Sequence, residues 1–291
     1  MNSALPHSRE QRFKFIEALA LWEGTVKRRQ VSDAFGVAPN HVTNDLRIYD
    51  ESHPNNIRFD PRIRAYVPQR TFKPAYISSD PSEYLSLLYA HADSKSEAAL
   101  ANIGGQQINA EIIPNQPHGL SSRAVQIIIR AIRTNTGLSI TYNSMSSSKP
   151  SKRNIWPHSF FHTGFRWQVR AYDSLRKEFR DFVIQRMGKI KPYNEKTSES
   201  LSNDIEWSNI ISIDLRPNPE FNDHQKMVIA NDYGMKLHKG QLSWKVKLRQ
   251  SLFPYFAVRY NLSKTNSTKP NYKHPVVLHN HNELSKYFFN N

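Results

Sequence analysis

Apolar positions along the chain fall into successive regimes. From residue 8 the repeat is helical: Ser8 and Gln11 stand at capping-box spacing, Phe13, Ile16, Leu19 and Ala20 form one face that Phe15 and Trp22 widen, and Gly24 ends the run. A second helix fits 27–35, burying Val31 and Phe35 before Gly36. A third opens at Pro39, whose fixed φ suits a first helical position and whose missing N–H would be unpaired there anyway. It turns Val42, Leu46 and Tyr49 inward and leaves Asn40, His41, Thr43, Asn44 and Arg47 on the other face. Residues 57–67 read as a β-hairpin turning at Asp60-Pro61, with Arg62 and Arg64 outward. After an extended, Pro-containing stretch at 71–79, Asp80 starts a helix carrying Tyr84, Leu85, Leu87 and Leu88. Residues 93–116 are polar without period and receive no assignment. Ser121 or Ser122 caps a further helix to about Thr134, with Val125, Ile128, Ile129 and Ile132 inward.

At Gly137 the period drops to two. Leu138, Ile140, Tyr142 and Ser144 alternate with Ser139, Thr141 and Asn143, and further strands fit 154–161, 165–173 and 178–185. On the strand at 165–173, Trp167, Val169 and Ala171 oppose Arg166, Gln168, Arg170 and Tyr172. Short strands at this spacing build a small, strongly bent sheet or barrel. Strands at 211–216, 242–249 and 275–279, with helices at 221–231 and 252–260, make a mixed C-terminal region.

Helix, Gly-containing turn and helix with a hydrogen-bonding outer face is the helix-turn-helix arrangement. Residues 31–46 resemble the winged helix-turn-helix of bacterial repressors: Phe35-Gly36-Val37 leads into the recognition helix and Asp45-Leu46 closes it, with Ala38 where a capping Ser is more usual. The basic hairpin then reads as the wing. This division gives base edges to Asn40, His41, Thr43, Asn44 and Arg47, and phosphates to Lys27, Arg28, Arg29, Arg62 and Arg64.

Composition sharpens the picture. The 291 residues suit two or three domains, and the absence of Cys excludes a disulfide framework, a thiolate metal site and a Cys nucleophile. The net charge of +15 is uneven: 121–193 holds 14 basic and 3 acidic residues, whereas 71–120 holds 2 and 5. Clustered excess of this kind points to a polyanion at the middle region as well as at the N-terminus. No apolar run approaches the roughly 18 residues a membrane span needs, and no basic stretch leads into an apolar one at the N-terminus. The expected location is cytoplasmic, with no membrane partner.

The middle region carries a second resemblance. Tyr142, Trp156-Pro-His158, Gly164-Phe-Arg-Trp-Gln-Val-Arg-Ala-Tyr-Asp173 and Arg180-Asp-Phe-Val-Ile-Gln-Arg-Met187 look like a WYL domain, although Gln168 and Val169 replace the Tyr and Leu of the name-giving triplet. The chain is particularly similar to WYL regulators encoded beside phage-defence operons of the BREX and CBASS type. That resemblance implies an α+β multidomain fold: a winged helix-turn-helix at 1–70, a helical linker at 71–136, an Sm-like β-barrel at 137–193 and a small α+β dimerisation extension at 194–291. It also implies a barrel that senses an anionic ligand, a nucleotide or single-stranded nucleic acid. By position the role falls to Tyr142, Ser144, His158, Arg170, Arg180 and Arg186, though Tyr142 equally suits a core aromatic and His158 a backbone-bonded structural histidine.

The expectation is a dimeric, sequence-specific repressor that binds an inverted-repeat operator of double-stranded DNA and regulates a phage-defence operon. The rival is a metal-dependent nuclease using Asp173, Glu178 and Asp181 near Lys177. A constitutive architectural DNA binder is the third reading. The His pairs 158/162 and 279/281 lack carboxylates at metal-ligand spacing, and no phosphate-binding Gly loop, HExxH or nucleophile elbow occurs, so neither metal nor cofactor nor enzymatic activity is expected.

Overall fold

The computed structural model describes residues 7–94, 110–113, 119–195, 197, 199–264 and 274–289. Most of the unassigned polar stretch at 93–116 lies outside them. The chain forms two compact units, 1–115 and 116–291. Among the described residues no helix is long and apolar enough to cross a membrane.

In the first unit, α1 (His7–Ala18) continues through a π-helical turn, Leu19–Glu23, to Gly24 at φ 70°. Ser8 therefore lies within the helix and does not cap it as expected. Helix α2 (Arg28–Phe35) ends at Gly36, φ 60°, where the left-handed backbone that favours Gly turns the chain into α3 (Pro39–Ser52). Phe13, Ile16, Leu19, Val31, Val42, Leu46 and Tyr49 are fully buried together, as the helical repeat predicts. Strands β1 (Ile57–Asp60) and β2 (Ala65–Pro68) pair antiparallel. Val26 and Tyr66 exchange two backbone hydrogen bonds of 2.8 and 2.9 Å, which pin this hairpin to the segment before α2.

The stretch 71–79 is stitched to the same unit before α4 (Pro81–Ser94) begins. Asn56 bonds both backbone groups of Lys73, and the buried carboxylate of Glu17 accepts the N–H groups of Ala75, Tyr76 and Ile77 at 2.7–3.2 Å.

In the second unit, α5 (Ser122–Thr134) is capped by Ser121, whose side chain accepts from Ala124 N–H. It buries Ile128 and Ala131, while Ile129, expected inward, is 42% exposed. Strands β3 (Gly137–Tyr142), β4 (Ser151–His162), β5 (Trp167–Asp173), β6 (Glu178–Val183) and β7 (Met187–Tyr193) form one antiparallel sheet in the order β6-β5-β4-β3-β7. The last strand lies within the expected barrel, at residues where the sequence pattern assigned no element. Because β6 and β7 are opposite edges yet are joined only by the turn Ile184–Arg186, the sheet must curl until its edges nearly meet. Helix α5 packs on β3, β4 and β7, and its Ile128 and Ala131 join Leu138, Ile140, Ile155, Val169 and Phe182 in one core, so this part of the expected linker belongs to the barrel core.

The rest of this unit comprises α6 (Ile205–Ser208), β8 (Ile210–Pro217), α7 (Asp223–Asp232), β9 (Lys236–His238), β10 (Gln241–Arg249), α8 (Phe253–Arg259), β11 (Val276–Leu278) and α9 (His281–Leu284). Its antiparallel sheet runs β11-β8-β10-β9. Ile213, Leu215, Phe253, Val276 and Leu278 form its core, fed by the alternation read in the sequence.

Candidate DNA-binding face and barrel site

The solvent side of α3 carries Asn40, His41, Thr43, Asn44 and Arg47, all exposed. Positions 40, 44 and 47 recur at helical spacing, so they form one stripe. The helix is held by its opposite side. Buried Asp45 takes Arg12 at 2.6 Å and Arg9 at 3.1 Å, and Tyr49 donates to Glu17 at 2.7 Å. Burial first, and Glu17 second, push the Tyr49 phenol above its ordinary range, so it remains a donor. Sequence patterning missed both carboxylates because a polar residue on a helix says nothing of whether its face is covered.

The expected phosphate residues lie around this stripe. Lys27, Arg28 and Arg29 occupy the exposed start of α2, and Arg28 Nη1 lies 3.4 Å from Thr43 Oγ1, joining the two sets. Arg62 and Arg64 are exposed at the hairpin tip, where Asp60 accepts from Arg62 N–H at 2.9 Å, and exposed Arg58 and Arg70 extend the basic surface. On the stripe itself Arg47 bonds Asn44 at 3.0 Å and pairs with Glu51, an exposed arrangement that a ligand can displace at little cost.

The six residues assigned to the barrel site separate. Pro157 lacks a ladder donor, and β4 carries a bulge between Pro157 and Ser159, which re-aims His158. Its Nε2 lies 3.1 Å from Asp204 and its Nδ1 2.9 Å from Ser159 Oγ. Arg170, only 4% exposed, grips Asp204 through two bonds of 2.7 and 3.0 Å and also reaches Asp181 at 3.2 Å and Glu206 at 2.8 Å. Burial alone would lower the Arg170 guanidinium, but these carboxylates outweigh it and hold it above its ordinary range. Burial likewise favours protonation of Asp204, and the bonds from His158 and Arg170 reverse it, keeping that carboxyl far below the usual range. These two candidates thus face a structural ion cluster and not an open surface. Arg180 is exposed and paired with Glu178, and Ser144 bonds Ser146 at 2.9 Å.

Tyr142 and Arg186 alone of the six line a cavity of about 550 Å³ between barrel and extension. Tyr142 is 7% exposed, and its hydroxyl accepts from Val183 N–H at 3.1 Å. Opposite them Tyr255 of α8 donates to Asp181 at 2.9 Å, and burial raises both of these acids.

The carboxylates of the nuclease reading do not assemble a metal site. Asp173 pairs with Arg153, Glu178 with Arg180 and Asp181 with Arg170. Among the described residues no three His, Cys, Asp or Glu are grouped to hold a metal ion.

Three family models match the chain: the BrxR transcriptional regulator winged helix-turn-helix domain over 8–90, the WYL domain over 123–192 and the BrxR transcriptional regulator C-terminal dimerization domain over 210–284. The DNA-binding transcriptional repressor CapW of Escherichia coli (strain KTE188) is 31% identical over 276 residues, covering 94% of this chain and 90% of that protein. CapW of Pseudomonas aeruginosa is 28% identical with the same coverage, and that of Stenotrophomonas maltophilia is 27% identical over 98% of this chain and 94% of its own length. Of solved structures, proteasome accessory factor B/C of Arthrobacter aurescens is 16% identical, with a TM-score of 0.27 over 96% of this chain and 47% of that one. A winged helix-turn-helix, a WYL barrel and a dimerization domain in this order, in a chain 31% identical to CapW along almost its whole length, make this protein a member of the CapW family.

Proposed function

We propose that the protein is a dimeric DNA-binding transcriptional repressor whose barrel adjusts operator affinity in response to an anionic ligand of nucleotide type. The observation that carries the DNA-binding part is the α3 stripe. Five side chains able to read bases are exposed on a helix whose buried side is fixed by Asp45 and Tyr49. An inserted recognition helix needs that rigidity behind its contact residues. The C-terminal match to a dimerization domain supports a two-fold arrangement and hence an operator of two inverted half-sites. The ligand part rests on the cavity that Tyr142 and Arg186 line, and its target genes, by the resemblance to phage-defence regulators, form a defence operon.

The test is fluorescence anisotropy on DNA upstream of the protein's own gene, against scrambled DNA, at two salt concentrations. A preference that persists at the higher salt is expected, because base contacts outlast the loss of phosphate attraction. Equal binding to both DNAs, collapsing with salt, would leave only phosphate contacts and refute the reading. Nucleotides and short oligonucleotides are then titrated into the operator complex, where a change in affinity is expected for at least one of them.

A further inference from the structure

We propose that the barrel's anion site is shared with the C-terminal extension: Arg259 at the end of α8 and Arg186 of the barrel jointly clasp the phosphates of a nucleotide-sized ligand. Occupancy would then act directly on the extension. This rests on the sensing reading above and adds how the signal leaves the barrel.

Three observations support it. Arg166, Arg186 and Arg259 all line the cavity, and none has an ion-pair partner among the described residues. The one carboxylate in the wall, Asp181, is already engaged by Arg170 and Tyr255 and leaves these charges uncompensated. Unpaired guanidinium groups around one hollow form a receptor for phosphate, whose oxygens match their paired donors.

The second observation is the way Arg259 reaches the barrel. It crosses the β4–β5 turn at Gly164, which sits at φ +87°. A Cβ at that position would stand 2.8 Å from Arg259 Nη1 and 3.2 Å from its Cζ, so the guanidinium occupies the space a side chain would need. Gly164 serves both the left-handed turn and this close approach. Since α8 buries Phe253 completely in the core of the extension, a pull on Arg259 is a pull on that core.

Third, the cavity offers aromatic surface beside the charges. Phe165 is 59% and Phe289 47% exposed on its wall, and Phe289 packs edge-on against Tyr255 at 5.1 Å. Phosphate-binding arginines next to partly exposed aromatic rings fit a nucleotide, whose base can stack. About 550 Å³ lies within the usual range for such ligands and admits no duplex.

The test uses the full-length protein and mant-ATP as the probe, followed by anisotropy, with Arg47→Ala as the DNA-face control. Arg186→Ala and Arg259→Ala are each expected to weaken binding about tenfold or more, Arg259→Lys to recover part of it, and Arg47→Ala, which alters the DNA face, to leave the mant-ATP affinity as in the wild type. Hydrogen exchange over 253–259 should slow with nucleotide in the wild type and not in Arg259→Ala. Because Arg259 is exposed, its loss leaves the fold intact, which thermal melting checks. If Arg186→Ala weakens binding and Arg259→Ala leaves both binding and exchange unchanged, the barrel binds alone: the shared site is overturned and the sensing reading stands. A wild type that ignores millimolar mant-ATP also overturns the shared site, whereas the operator titration decides sensing independently.

Discussion

Arg170 offers the sharpest division between a structural and a ligand-binding role. Replacing it by Met removes the guanidinium and keeps most of the buried volume. Asp204, 1% exposed, would then lose two hydrogen bonds and its charge partner, keeping only His158 and the Trp207 N–H. Asp181, also covered, would keep only Tyr255. Removing one partner from a buried ion cluster costs about 3–5 kcal/mol, because the remaining charge is neither solvated nor paired. For a unit of this size that lowers its melting temperature by about 6–20 °C, measured by differential scanning calorimetry. Combining Arg170→Met with Asp204→Asn should cost less than the two single changes together, since the unpaired charge is then gone. The pH dependence has a definite sign. Asp204 titrates lower in the folded than in the unfolded chain, so its contribution is complete above about pH 4, the ordinary carboxylate value, and disappears as pH falls further through the depressed one. The wild-type advantage over Arg170→Met should therefore hold from pH 5 to 8 and shrink in stronger acid. A melting shift below about 3 °C with a lost response to nucleotides would refute this reasoning and return Arg170 to the ligand site.

Arg47→Ala should remove about 1–3 kcal/mol of discrimination between operator and scrambled DNA, read by anisotropy; equal weakening on both would make it a phosphate contact. Lys27→Ala with Arg28→Ala should weaken both DNAs alike and flatten the slope of log affinity against log salt by about one unit for each phosphate no longer neutralised. Glu17→Ala strips the acceptor from Tyr49 and from three backbone N–H groups, so chemical denaturation should show the first unit less stable by at least about 2 kcal/mol, and Glu17→Gln by less.

Much of the fold was legible where a single face meets a single core. In α1, α2 and α3 the 3.6-residue repeat and two left-handed glycines marked elements and turns, and the hairpin followed from Asp60-Pro61. Failures occurred where periodicity is the wrong question. The π-turn after α1 continues an apolar face and leaves no trace in the pattern. Ile129 had the composition of a buried residue but faces solvent, while Ala131, small enough to let α5 approach β3, is buried instead. Strand β7 reads Met-Gly-Lys-Ile-Lys-Pro-Tyr and is half-exposed along an edge, so little alternation marks it. The linker's first residues looked free because their anchor is Glu17, about sixty positions earlier.

The DNA face and the barrel site differ in legibility for one reason. A recognition helix shows its function outward, so its exposed polar stripe follows from knowing which positions are buried. In the barrel, β5 is covered on both sides: Val169 and Ala171 enter the core, and Gln168 and Arg170 lie beneath the extension, each 4% exposed or less. Alternation there separates two buried faces and cannot tell a sensor from a strut. What distinguishes Arg170 from Arg186 is whether a carboxylate reaches it, and Asp204 stands 34 residues away on the segment before α6. Nothing local to either arginine encodes that difference. A basic excess in sequence therefore identifies the region that meets an anion, whereas the individual receptor groups emerge only after every arginine already satisfied within the fold has been subtracted.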